Sequence, residues 1–131
     1  MAIFTEVEVS YLRGQRLGRL ATVQPNGTVQ NSPVGFGYNE KLQTIDIGGW
    51  KMATSQKFRN VAAGSKVAFV VDDIASLDPW KVRCLEIRGV AEALTDPTDA
   101  AANLSGPIIR VRPTRIISYG VDPDAPGRRD A

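Results

Sequence analysis

Hydrophobic and polar positions alternate along most of this chain with the two-residue period of half-buried strands, and three short segments carry helix signals instead. Leu20 to Val23 and Thr28 to Val34 are β-prone runs separated by Pro25-Asn26-Gly27, whose Asn and Gly tolerate the positive φ of a hairpin turn. A second turn at Asn39-Glu40-Lys41 leads into a third strand, Leu42 to Gly48, with Leu42, Ile45 and Ile47 as its apolar members. These three form an antiparallel meander. Lys66 to Val71 predicts a fourth strand ending at Asp72-Asp73, and Lys81 to Leu94 a fifth with Gly89 as a bulge. Ile108 to Val111 and Arg115 to Tyr119 supply the last strand material, split by Pro113.

Thr5-Glu6-Val7-Glu8 is a capping box, with Phe4 and Val9 placed as a hydrophobic staple, so a helix runs from Glu6 to Arg13 and stops at Gly14. Thr54 stands as N-cap of a second helix in which Phe58, Val61 and Ala62 share one face until Gly64. Asp96-Pro97 predicts a third helix from Thr98 to Leu104, closed by Ser105-Gly106-Pro107. Residues 122–131, rich in Pro, Gly and Asp, read as an extended or disordered tail. The elements do not alternate as βαβ, and neither GxGxxG nor GxxxxGK[ST] occurs. The expectation is a mainly β protein, a small antiparallel barrel with short helices, forming one domain over residues 1–121.

Composition narrows the chemistry. The net charge of +2, from 16 Lys and Arg against 14 Asp and Glu, is too small to imply a nucleic-acid or membrane partner, so any basic site is local. Without an apolar run near the roughly 18 residues of a membrane span, and without an export signal, a cytoplasmic location is expected. The single Cys84 excludes an intramolecular disulfide, and among Val82, Leu85 and Ile87 it reads as a buried thiol rather than a reactive one. The chain has no histidine, which removes every Ser-His-Asp or Cys-His device and leaves a poor ligand set for zinc or a transition metal. No metal site is expected, and any catalysis is expected to draw on a cofactor.

Lys57 at the third position of the second helix and Arg59 two further on, with Lys51 upstream, place cations where they oppose the helix dipole by about 0.3–1 kcal/mol each when exposed. A bound phosphate would reverse that sign, and Thr54 and Ser55 would add hydroxyl donors. The same spacing also describes a solvated basic face. Gly48-Gly49 reads either as a strand terminator or as a place where a flat ring approaches the backbone. Arg110 and Arg112 fall on one strand face opposite Ile109 and Val111, the pattern of a wet face. Trp50 and Trp80 read as packing or interface residues.

Leu20-Ala21-Thr22-Val23, Pro25-Asn26-Gly27 and Ser32-Pro33-Val34 are similar to the opening of the pyridoxamine 5′-phosphate oxidase-like flavin and deazaflavin proteins. Thr54-x-x-Lys57-x-Arg59-Asn60 followed by Val67 to Asp73 resembles their helix and next strand, and Pro113-Thr114-Arg115-Ile116 with Ser118 and Gly120 their final strand. The ordered likeness spans residues 5–120. It implies an antiparallel split β-barrel of the FMN-binding, Greek-key type, acting as a homodimer with its cofactor at the subunit interface. The likeness is greatest to the actinobacterial branch that uses the deazaflavin coenzyme F420. On that resemblance Lys57, Thr54 and Lys51 would hold the cofactor phosphate, with Arg59 and Asn60 beside them. Backbone at Ser32, Pro33 and Val34 and at Ile47, Gly48 and Gly49 would line the ring. The expected activity is hydride transfer from reduced F420 to an unsaturated small molecule, with Ser32 and Tyr38 as candidate proton donors. An FMN-dependent oxidoreductase is the alternative, as is a non-catalytic flavin, deazaflavin or haem binder on the same barrel. The lack of histidine counts against haem, and the lack of a C-terminal substrate-binding extension counts against pyridoxamine phosphate oxidase activity.

Overall fold

Thr5 opens helix α1 (Glu6–Arg13): its hydroxyl accepts from the Glu8 N–H while the Glu8 carboxylate accepts from the Thr5 N–H, as the capping box requires. The computed structural model describes residues 2–131. Strands β1 (Leu17–Val23) and β2 (Val29–Asn39) form a hairpin whose turn is fixed by Asn26 accepting from the Thr28 N–H and by Gly27 at φ 92°. β3 (Thr44–Ile47) starts two residues later than the pattern suggests, because Gln43 takes a left-handed φ of 55° and prolongs the turn through Leu42. A single 3-10 turn (Met52–Thr54) and helix α2 (Gln56–Ala62) follow, then β4 (Lys66–Leu77), β5 (Trp80–Leu94), β6 (Ile108–Tyr119) and β7 (Arg128–Asp130).

All pairings are antiparallel, in the order β3-β2-β1-β4-β5-β6-β7, and β3 also pairs with β6, which closes the first six strands into a barrel. β4 returns beside β1 after the β1-β2-β3 meander, the Greek-key order. Inward positions carry Leu20, Phe36, Ile45, Ile47, Phe69, Val71, Leu85, Ile87, Ile109, Val111 and Ile116, with Phe36 and Phe69 meeting edge to face at 5.1 Å. Helix α2 adds Phe58 and Val61 to this core. Among the described residues no helix is long and apolar enough to cross a membrane.

Three expected boundaries are corrected. β4 does not end at Asp72-Asp73 but runs on to Leu77, because both carboxylates are neutralised in place: Asp72 pairs with Arg19, and Asp73 pairs with Arg83 and accepts from Tyr11 and Gln15. Pro113 does not split the last strand. It lies opposite Gly89 at a bulge, where the ladder shifts register and its missing N–H is tolerated. A Cβ at Gly89 would overlap the Arg112 carbonyl, so the bulge needs glycine. Thr98 to Leu104 is not a helix but an irregular strap with one turn bond, Leu104 N–H to Ala101 O at 2.9 Å, and it is tied to the barrel beneath through Asp99, the Ala101 N–H and the Asn103 amide. Residues 122–131 fold back to place β7 along β6, and Arg129 reaches the buried Glu8 carboxylate.

Candidate functional site

β3 pairs with β2 only over Phe36–Asn39, so the stretch Val29–Gly35 is bonded to β1 on one edge and to no strand on the other. That edge presents N–H and C=O groups free to meet a ligand. It includes the backbone of Ser32, Pro33 and Val34. Ser32 itself pairs with buried Leu20 and shares its inward side with Val34, so its hydroxyl points into the barrel. Ser32 Oγ is enclosed there without a hydrogen-bond partner, and a proton donor for a surface-bound acceptor would have to face the other way.

Beyond β3 the chain passes Gly48 and Gly49 to Trp50 and Lys51. Lys51 adopts a left-handed φ of 57°, and its ammonium lies 4.6 Å from the centre of the exposed Trp50 ring. The α2 N-cap is Ser55 rather than Thr54: Ser55 Oγ accepts from the Phe58 N–H at 3.2 Å, while the Thr54 hydroxyl donates to Lys51 O at 3.1 Å. Lys57 is therefore the second helical residue. It is half-buried and makes no ion pair among the described residues. Arg59 is exposed and donates to Thr54 O and Gln56 Oε1, tying the 3-10 turn to the helix. Asn60 is buried, donating to Thr22 Oγ1 at 2.9 Å and accepting from Gln56 Nε2 at 2.7 Å, so its amide is committed to structure.

A cleft of about 1110 Å³ lies on the barrel surface, floored by Gly35 and Gly37 of β2 and by Gly48 and Gly49. Arg13 at the end of α1, Arg16 just beyond it, Tyr38 and the strap 98–104 also line it. Of the residues expected at a cofactor, Gly48, Gly49 and Tyr38 line this cleft; Lys51, Thr54, Lys57, Arg59 and Asn60 do not, and neither do Ser32, Pro33, Val34 or Ile47. A Cβ at Gly48 would lie 2.9 Å from Leu104 Cδ2, which covers it. Gly49 is open, with only Met52 Cε at 3.7 Å, and a Cβ on Gly35 would meet nothing within 4 Å. Tyr38 packs edge-on against Phe4, and the Arg13 guanidinium lies 5.7 Å from its ring centre. Burial raises its phenol pKa, and Glu40 adds to this while Arg13 offsets part, so the group stays protonated near neutral pH.

The strap is held by a buried charge cluster that the alternation pattern hides. Arg110, read as part of a wet face, is 3% exposed and donates through Nε to Asp46 Oδ1 at 3.0 Å and through Nη2 to Asp46 Oδ2 at 3.2 Å. Asp46, fully buried, also accepts from Asn39 Nδ2, Thr44 Oγ1 and the Ala101 N–H at 2.8–2.9 Å. Burial pushes its carboxyl upward, but the bonds from Arg110, Asn39, Thr44 and Ala101 outweigh that and hold it below the usual carboxylate range. Arg110 and Asn39 further bond Asp99 at the far side, so the strap is fixed at Asp99 and Ala101. Gly37 lets it lie close, since a Cβ there would fall 2.8 Å from that of Ala101. Only Arg112 meets the expectation for that face, pairing with Glu92 in solvent.

The residues present fit a flat anionic cofactor: a half-buried lysine, Lys57, with no carboxylate partner among the described residues, a strand edge with no second strand on it, and backbone at Gly49 with room above it.

The sequence profile described as pyridoxamine 5′-phosphate oxidase matches residues 4–115. The chain is similar to the 5a,11a-dehydrotetracycline/5a,11a-dehydrooxytetracycline reductase of Streptomyces rimosus, with 45% identity over 122 residues, 92% of this chain and 86% of the relative. In structure it is similar to a conserved hypothetical protein of Mycobacterium tuberculosis, with a TM-score of 0.69 at 20% identity, covering 90% of this chain and 86% of the other. It is also similar to a protein described as an F420 reductase, with a TM-score of 0.61 at 29% identity, covering 82% of this chain and 93% of the other.

Proposed function

This chain belongs to the pyridoxamine 5′-phosphate oxidase family of split-barrel oxidoreductases, and from that premise we propose that it is an F420-dependent reductase of an unsaturated, multi-ring small molecule. The observation that carries the reading is its 45% identity to a reductase of dehydrotetracyclines, over nearly the whole of both chains. Its likeness to an F420 reductase at 29% identity supports the choice of cofactor.

Lys57 neutralises the cofactor phosphate, with Lys51 and the Thr54 hydroxyl beside it. Arg59 keeps the 3-10 turn and α2 in fixed relation through its bonds to Thr54 and Gln56. The free edge of β2 at Ser32–Val34 and the open backbone at Gly49 receive the cofactor ring. When bound, reduced F420 would supply a hydride to one carbon of the acceptor's conjugated C=C and solvent the proton to the other, reducing the acceptor and oxidising the cofactor by two electrons. The protein contributes orientation and water exclusion, neither of which needs histidine.

The site is completed by a second copy. Leu17, Val23, Val29, Ile74 and Tyr119 are all exposed, and the register places them on the same outer face of β2-β1-β4-β5-β6, around half-buried Ala21, Ala68 and Val70. The same face carries the Arg19–Asp72 and Arg88–Glu86 pairs, so its apolar side chains lie among neutralised charges, a mixed surface that a homodimer would cover. A cytoplasmic location agrees with the unpaired Cys84.

The test is competitive titration of F420, FMN and haem against the purified protein. F420 binding about ten-fold or more tightly than FMN, one decade being 1.4 kcal/mol, is the expected result. Tighter FMN binding makes this an FMN enzyme, and binding of none removes the cofactor reading.

A further inference from the structure

The cleft over β2 has a composition that nothing in the phosphate-binding set explains. Its floor is glycine backbone, open over Gly35, and its sides carry apolar Leu42, Leu104 and Ala102. Of its two carboxylates, Asp99 is taken by Arg110 and Glu40 lies 3.5 Å from Arg13. Arg16 and Lys41 are exposed on its rim and pair with nothing among the described residues. Its volume of about 1110 Å³ exceeds what one bicyclic ligand fills. Its far side is the strap, an irregular segment that would be mobile on its own but is fixed at Asp99 and Ala101 by the buried Asp46–Arg110 pair.

We propose that this cleft is the acceptor site, and that it selects a planar fused-ring molecule carrying an ionised enol, phenol or carboxylate, which Arg16 and Lys41 receive. This rests on the reductase reading for the identity of the reaction, though not for the binding itself. A flat ring system lies on the backbone at Gly35, where no side chain intervenes. The strap lines the cleft at Ala102 and Leu104. Asp46 and Arg110 are positioning residues, since they touch the strap and not the ligand.

Calorimetric titration of the purified full-length protein with anthraquinone-2-sulfonate and with neutral anthraquinone-2-carboxamide tests this without turnover. Wild type should prefer the sulfonate by about ten-fold, the size of a charge-assisted contact. Arg16→Gln combined with Lys41→Gln should reduce that preference to about two-fold or less. Gly35→Leu from the floor and Ala102→Trp from the strap should each weaken both probes about ten-fold or more, with melting temperatures at or above wild type because neither replaces a packed side chain. Unaltered probe affinity in both obstructing variants, or an undiminished charge preference in the Arg16/Lys41 variant, overturns the proposal. F420 titrated in parallel separates the two readings. If the probes behave as described while F420 does not bind, the cleft stands and the cofactor assignment falls.

Discussion

Removing the Arg110 guanidinium while keeping its length, as Arg110→Met, exposes how the strap is held. The pair is almost wholly out of water, with Arg110 3% and Asp46 0% exposed, so loss of one partner of a buried ion pair sets the scale at about 3–5 kcal/mol. In this variant Asp46 still accepts from Asn39, Thr44 and Ala101, three of its donors, which places the cost near the lower bound, about 3 kcal/mol. Asp46→Leu is worse. It leaves Arg110 with only half-exposed Asp99 and strips the buried Ala101 N–H of its acceptor, adding about 1–3 kcal/mol. The double variant removes both charges, so its cost should fall short of the sum by about 2 kcal/mol. Urea unfolding of wild type, both single variants and the double at one fixed protein concentration gives the cycle, and amide exchange at Ala101 reports the strap. All three variants should speed that exchange. A cost below about 1 kcal/mol for Arg110→Met, or strict additivity, would mean the pair is solvated and does not fix the strap.

Lys57→Ala should weaken F420 binding by about 1.5–3 kcal/mol, one to two decades in Kd by titration, and leave the melting temperature of the empty protein almost unchanged, because Lys57 makes no ion pair among the described residues. Stability should fall with acid. Asp46 and Asp73 both titrate below the ordinary carboxylate range when folded, so their contribution is complete above about pH 4 and is lost as pH drops through the folded values. Melting scans from pH 7 down to 3 check this, and the Arg110→Met protein should show a shallower decline. Light scattering should give twice 14.2 kDa at micromolar concentration, and Val29→Asp on the outer sheet face should shift it toward one chain; a wild-type mass of 14.2 kDa contradicts the dimer.

Local chemistry made much of the barrel legible. The Thr5-to-Glu8 capping box and the Asn26-Gly27 turn each depend on residues close in sequence, and each stands where those residues put it. What escaped depends on distant partners. Asp96-Pro97 looks like a helix start, but the strap gives the Asp99 carbonyl and the Ala101 N–H to Arg110, Asn39 and Asp46, and those tertiary bonds outweigh local helix propensity. Arg110 alternates with apolar neighbours as an exposed residue would, yet the strap covers it. One signal was present: Asp46, a lone carboxylate between Ile45 and Ile47, requires a buried cation. In the candidate site, the pattern suggested Lys57 and Gly49 by residue type, and it could not show that Asn60 turns inward, that Ser32 faces the core, or that Leu104 sits over Gly48.

The central claim is that the protein accelerates hydride transfer from reduced F420 to a fused-ring acceptor. Stopped-flow loss of reduced-F420 absorbance, with 5a,11a-dehydrooxytetracycline as acceptor and wild type or Gly49→Val as catalyst, measures this directly. The account predicts oxidation many-fold faster with wild-type protein than in buffer, since alignment removes part of the entropic barrier, and slower with Gly49→Val, where a side chain lifts the ring from the backbone. A rate with wild-type protein equal to that of the free cofactor would contradict it.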